Sequence, residues 1–379
     1  MAEKRPAQIA EETAGDLRFL HQSWPCRVRF GRGSLAEAPC EIGRLDPKSV
    51  LLIGTPGRAA VLDGLARALG DLVAGAVGDA RSHVGQEQAD AACRTALHTR
   101  ADMLVAVGGG AATGLGKAVA LSLGLPLACI PTTYSGSEMT PIWGITRNGE
   151  KLNGRDERVR PRLVIYDPDL FAGLPRATAA ASAMNAMAHC VEALYAADAS
   201  PLVAMSAEEG ARALGEGLRR LAAGDEAADL LLYGAWLGGS ALGAASMGLH
   251  HKLCHVLGGM LGLPHAEMHA ILLPHVLAFN APAAPAAMAR LCRALALPDA
   301  AACARALASL AAAGGVPASL AEIGMREEHV APAAAAVMAS SYPNPRPIAA
   351  EAVRALLRDA LCGGAPRVCG VCEAPQKFM

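Results

Sequence analysis

Seven of the chain's 11 histidines crowd into residues 189 to 275: His189, His250, His251, His255, His265, His269 and His275. Imidazole can donate a proton, accept one or bind a metal near neutral pH, so such crowding concentrates one kind of chemistry. Asn185/His189, His251/His255 and His265/His269 each stand four residues apart, which puts each pair on one face of a helix. Facing helices could then bring the side chains to a common point, as metal and proton-transfer sites in helical domains do. Any one of these histidines is explained as well by a core hydrogen bond; the cluster predicts a shared site.

A second chemistry is carried by glycine. The apolar run Met103 to Val107 enters Gly108, Gly109 and Gly110, then Thr113, Gly116 and Lys117. Backbone N–H groups bared at the start of a helix can hold a pyrophosphate. The spacing is neither GxGxxG nor a Walker A loop. After the next apolar run comes Pro131 to Met139, where Thr132, Thr133 and Ser137 offer hydroxyls and Gly136 allows close backbone approach. Both loops follow strands and share one sheet edge, where α/β folds bind ligands. Together they predict a nucleotide cofactor.

The elements that must position these residues divide the chain in two. Short apolar runs at 49–54, 103–107, 127–130 and 163–166 alternate with helical stretches, the pattern of a parallel sheet with helices on its faces. Beyond about residue 175 the strand signals stop and Ala/Leu-rich helical stretches take over. The prediction is a Rossmann-like α/β domain over 1–175 and an all-helical catalytic domain over 176–379.

Lys+Arg 34 against Asp+Glu 35 leaves a charge of −1, which offers no field for nucleic acid or anionic membrane. Leu230 to Leu249 is uncharged and long enough to span a bilayer, but its five glycines favour a buried helix packed through them. The N-terminus lacks a secretory apolar stretch. The 11 cysteines are scattered, which reads as free thiols in a reducing cytoplasm, with Cys369 and Cys372 the one close pair.

The segments GGGxxTGLGKA (from 108), PTTYSGSEMTPIWG (from 131), SAMNAMAHCVEALYA (182–196), GLHHKLCHVLGG (248–259), LPHAEMHAILLPH (263–275) and YPNPRP (342–347) resemble the maleylacetate reductases, within the iron-containing alcohol dehydrogenase superfamily. The resemblance runs from about Arg29 to Leu361. It implies a dehydroquinate synthase-like architecture, with a dinucleotide domain, a helical domain and a cleft between them, in a cytoplasmic homodimer. Metal-dependent members hold their ion with an Asp and three His, at positions that match Asn185, His189, His251 and His265. An amide thus stands where they have a carboxylate, which implies that a metal is not required. The family's catalytic His matches His255.

The reaction so implied is reduction of the C=C bond of maleylacetate to 3-oxoadipate by NADH, with NADPH accepted. Charge building on the ketone oxygen would be met by His255 as proton donor, with His251 and Asn185 orienting and His189 and His265 completing the cluster. Lys252 and Arg346 are candidates for the substrate's carboxylates. Lys151 matches a family lysine near the cofactor, Asp79 is placed to bond the ribose 2′-hydroxyl, and Lys117 could face phosphate or solvent. Ala111 stands where relatives usually have Ser. The rival expectation is an iron- or zinc-dependent alcohol dehydrogenase of the same superfamily, with Asn185 a neutral ligand.

Overall fold

The computed structural model of the chain describes residues 19–22, 25–147 and 150–368, so the Cys369/Cys372 pair and Asn148 lie outside the described residues. The strands are β1 (Arg27–Phe30), β2 (Val50–Gly54), β3 (Val73–Val77), β4 (Met103–Gly108), β5 (Leu127–Pro131), β6 (Ile142–Arg147), β7 (Glu150–Arg155) and β8 (Leu163–Tyr166). Six form a wholly parallel sheet in the order β1-β8-β5-β4-β2-β3, while β6 and β7 pair as an antiparallel hairpin. The four runs expected from sequence are the central strands β2, β4, β5 and β8, buried at every position. The two that sequence did not announce, β1 and β3, are the edges, where exposure alternates along the strand.

Alternate residues of the central strands feed two cores, as the two-residue strand period demands. Leu51, Ile53, Leu104 and Ala106 pack on the face covered by α3 (Gln86–His98) and α4 (Gly110–Leu123). Val50, Leu52, Val105 and Val107 pack on the other, with α1 (Ala38–Gly43) and α2 (Ala59–Leu69). Gly54 stands opposite Val107 and Gly108 opposite Pro131, so β2, β4 and β5 end level at one edge. Strand order reverses between β2 and β4, the switch point at which open α/β sheets take their ligands.

After β8 the described chain is helical: α5 (Arg176–Tyr195), α6 (Pro201–Ala223), α7 (Ala228–Gly243), α8 (Leu249–Leu261), α9 (His265–Asn280), α10 (Pro285–Leu295), α11 (Ala300–Gly314), α12 (Val330–Met338) and α13 (Ala350–Leu361). α5 is the axis of this half, buried from Ala179 through Leu194 and wrapped by α6, α7, α9 and α11. Its alanines let backbones approach closely. The glycines of α7 do the same: a Cβ at Gly238 would stand 2.8 Å from the Ala186 carbonyl oxygen, and one at Gly234 would stand 2.6 Å from Leu214. The uncharged segment is therefore not one span but lies mostly in a 16-residue core helix that ends at Gly243, and no single helix among the described residues is long and apolar enough to cross a membrane.

The two halves meet backbone to backbone. A Cβ at Gly239 would lie 2.1 Å from the carbonyl oxygen of Gly136, which itself has φ 73°. His83 donates from Nε2 to the Leu263 carbonyl at 3.1 Å, and Arg155 donates to the carbonyls of Gly243 (2.7 Å) and Ala245 (2.9 Å).

Candidate functional site

Three helices bring the histidines together. α5 supplies Asn185 and His189, α8 supplies His250, His251 and His255, and α9 supplies His265 and His269. The rings of His189 and His251 stack with centroids 5.2 Å apart, His251 stands 6.3 Å from His255 and 5.1 Å from His269, and His265 stands 4.5 Å from His269. His250 Nε2 and His269 Nδ1 share a hydrogen bond of 2.8 Å. His275 lies further along α9, near Asp359 and apart from this cluster.

Asn185, His189 and His251 are buried, while His255 and His265 are partly exposed. Asn185 Oδ1, His189 Nδ1, His251 Nε2 and His265 Nδ1 are buried atoms without a hydrogen-bond partner in the fold. Native interiors leave few such atoms unpaired, so this group marks a place built to receive something polar. Burial, then the neighbouring imidazoles, hold His189 well below the usual histidine value. Burial, then Lys151 and the neighbouring histidines, do the same to His265. Burial, then the charges of His251 and Lys151, push His255 down to about 3. At neutral pH His255 is thus a neutral ring that offers an N–H, and it holds no spare proton.

The glycine run is shorter as a loop than its sequence suggests, because α4 starts at Gly110 with Gly109 as its N-cap. Gly108 has φ 150°, and a Cβ there would meet Ala112 at 2.9 Å; one at Gly109 would meet Thr133 at 2.8 Å. Packing alone demands these two glycines. A Cβ at Gly110 would meet nothing within 4 Å, so open space faces the N-terminus of α4, where an anion is favoured. The second loop is tied from several sides: Thr132 N–H donates to the Gly108 carbonyl (3.1 Å), Tyr134 stacks on Phe171 (4.4 Å), and its N–H donates to Ser182 Oγ (3.2 Å). Thr133 and Ser137 are partly exposed there, whereas Thr132 and Thr113 are buried. Asp79 is exposed beside a cavity of about 800 Å³ that Arg81, His83 and Gln88 also line.

Lys117 faces neither phosphate nor solvent. Its buried ammonium donates to the carbonyls of Ser137 (2.6 Å), Thr140 (2.8 Å) and Ile142 (2.8 Å) and to Thr140 Oγ1 (3.0 Å). It pins the second loop from beneath. Lys151, on β7, reaches the histidines: its charge bears on His83, His255 and His265, and burial pulls its own value down. Lys252 donates to Ser340 Oγ at 2.7 Å, and Arg346 stacks on Phe279 (4.4 Å) while donating to its carbonyl (2.9 Å). Arg346 and Ser340 line a cavity of about 340 Å³.

Glu192 was not singled out by sequence, and the structure sets it at the root of the cluster. It is fully buried and accepts His251 Nδ1–H at 2.6 Å. It lies three residues beyond His189, a spacing that could have exposed it. Desolvation raises its carboxyl value, but His251, His250 and the Gly248 N–H outweigh that and hold it below the usual range.

Family models match this architecture half by half: iron-containing alcohol dehydrogenase over residues 25–168, and the C-terminal part of the Fe-containing alcohol dehydrogenase family over 179–361. A maleylacetate reductase of Burkholderia cepacia is 48% identical over 92% of this chain and 99% of its own length. The chain belongs to the iron-containing alcohol dehydrogenase family. Other members similar to it include the solved maleylacetate reductases of Agrobacterium tumefaciens and Rhizobium sp. strain MTP-10005, each with TM-score 0.85 and 43% identity over 92% of this chain and 99% of theirs.

The family name implies iron, a dication that needs anionic ligands when it is buried. Asn185, His189, His251 and His265 are four neutral donors, and no anion among them offsets a buried dication. The carboxylate in reach, Glu192, is spent behind His251. The donor set does not fit a tightly held divalent iron. Among the described residues, the trio whose ligand atoms lie within 4.8 Å of one another is His250, Cys254 and His269, and two of these are already hydrogen-bonded together. The nicotinamide cofactor does fit: open space faces the N-terminus of α4 at Gly110, with Thr133 against Gly109, and such a helix start favours an anion like its phosphates.

Proposed function

We propose that this chain is a maleylacetate reductase, which adds hydride from NADH across the C=C bond of maleylacetate to give 3-oxoadipate. The supporting observation is the set of buried, unpaired atoms Asn185 Oδ1, His189 Nδ1, His251 Nε2 and His265 Nδ1, which contains no carboxylate where metal-dependent relatives have one. Eight relatives at 44–48% identity bear this name.

NADH supplies the hydride. Its phosphates lie at Gly108, Gly109, Gly110 and Thr113, with Asp79 at the ribose, and Thr132, Thr133 and Ser137 line the way to the nicotinamide. Hydride adds to an alkene conjugated with a ketone, so negative charge collects on the ketone oxygen as an enolate. His255 offers its N–H to that oxygen, Asn185 and His251 orient the cluster around it, His189 and His265 close the wall, and the enolate then takes a proton from water at the carbon beside the ketone to complete 3-oxoadipate. Lys151 adds positive charge at the junction of cofactor and histidines, and Lys252 and Arg346 serve the two carboxylates. The reductase acts as a cytoplasmic homodimer, which light scattering on the purified protein checks for assembly.

The test is NADH oxidation by purified, chelator-treated protein with maleylacetate, set beside simple aldehydes and ketones. Turnover of maleylacetate alone, undiminished by chelation, is expected. Turnover only of carbonyl compounds, restored by iron or zinc, would make it a metal-dependent alcohol dehydrogenase.

A further inference from the structure

Glu192 makes more hydrogen bonds than a fully buried side chain needs merely to be tolerated. Its Oε1 accepts the His250 N–H at 2.8 Å, and its Oε2 accepts both the Gly248 N–H at 3.0 Å and His251 Nδ1–H at 2.6 Å. The two backbone donors belong to the first turn of α8, whose dipole favours an anion there. Carboxylate and helix start are therefore locked before any ligand arrives.

The consequence falls on His251. A carboxylate can only accept, so the ring's Nδ1 must carry the hydrogen, and Nε2 becomes the atom turned toward the cluster. That Nε2 is buried and has no partner, with the His189 ring stacked beside it. Without Glu192 the ring could carry its proton on either nitrogen and turn about its bond to Cβ. We propose that Glu192 is the positioning residue of this site: it fixes the orientation and tautomer of His251 so that Nε2 faces the cluster as a hydrogen-bond acceptor, and the N–H that meets the ketone oxygen of the substrate is left to His255. The inference rests on the reductase reading above.

A cavity of about 310 Å³ lies on the other side of the carboxylate, lined by Glu192, Tyr195, Ser246, Gly248 and Asn344. It gives a small anion a way in when the side chain is cut back. The experiment compares wild type, Glu192→Ala and Glu192→Gln in the full chain, chelator-treated, with NADH and maleylacetate. Glu192 touches neither ligand, so kcat falls about 10- to 100-fold in both variants, the range typical of partners that orient a site histidine, while KM for NADH holds. Added formate restores part of the kcat of Glu192→Ala and none of that of Glu192→Gln, whose amide still fills the space.

A kcat within about threefold of wild type in either variant overturns the proposal, being smaller than loss of an orienting partner causes. So does a loss in which NADH binding falls in parallel and formate restores nothing, because Glu192 would then only cap α8. If Glu192→Ala does not fold, the near-isosteric Glu192→Gln decides by its kcat and melting temperature together. A wild type that leaves maleylacetate untouched sinks the reductase reading itself, and this inference with it.

Discussion

Burying so many neutral imidazoles makes the fold sensitive to acid. His189 and His269 are held well below the usual 6.5, and His250 down to about 3, each mainly by desolvation, and these three are at most 4% exposed. A depressed histidine contributes its stability above the unfolded value, and loses it as pH falls from there toward the folded value. In going from about pH 7.5 to about 5.5, each imidazole that titrates only in the unfolded chain costs roughly RT ln(1 + 10), about 1.4 kcal/mol. Three give about 4 kcal/mol, and counting the partly exposed His255 and His265 raises this to about 7. Glu138, whose carboxyl burial raises, opposes this by at most about 3 kcal/mol over the same interval. A net loss of about 1 to 7 kcal/mol is a sizeable part of a typical folding free energy. Urea denaturation followed by circular dichroism at the two pH values measures it. His269→Gln isolates one contributor: its stability should fall by about 1.4 kcal/mol less than that of wild type over the interval. A wild-type stability that is flat or rising toward acid, or a gap between wild type and variant that is the same at both pH values, refutes the reasoning.

The glycines separate packing from binding. Gly239→Ala drives a methyl into the Gly136 carbonyl and should cost about 1–3 kcal/mol or more, seen as a lower melting temperature with weaker NADH binding. Gly110→Ala meets open space, so it should melt with wild type yet bind NADH more weakly in a fluorescence titration, since the methyl enters the anion cradle. Asn185→Asp restores an anion to the donor set and should raise Zn²⁺ affinity by at least about tenfold in calorimetry, with slower metal-free turnover.

Sequence revealed most of the frame and part of the site. The central strands were legible because both of their faces are buried, which writes a solid apolar run such as Val50 to Ile53. β1 and β3 escaped because edge strands alternate, and Arg27-Val-Arg-Phe30 or Val73-Ala-Gly-Ala-Val77 carries too few large apolar residues to stand out. The histidine cluster was legible from i,i+4 spacing alone. Glu192 was not, since a glutamate in a helix is ordinarily solvated, and only tertiary packing against the start of α8 makes it an acceptor for His251. Lys117 was misplaced for a related reason: following a glycine loop says nothing of which way a long side chain turns, and this one turns inward. The pair of cations proposed for the substrate came from motif position, and the structure puts a third, Lys151, closer to the histidines through the β6–β7 hairpin, which sequence had not announced.

The ammonium of Lys117 sits in a cage of four oxygens, three carbonyls and one hydroxyl. Such a cage resembles part of the oxygen shell of a monovalent cation, filled instead by an amine on the chain itself, whose value burial lowers to about 7. A loop organised by a dissolved cation takes its shape from the salt around it, and loosens when that salt is exchanged or diluted. Here the amine is covalently anchored to α4, the helix that presents Gly110. The hydroxyl-bearing loop is thus held in register with that helix whichever monovalent ions surround the protein.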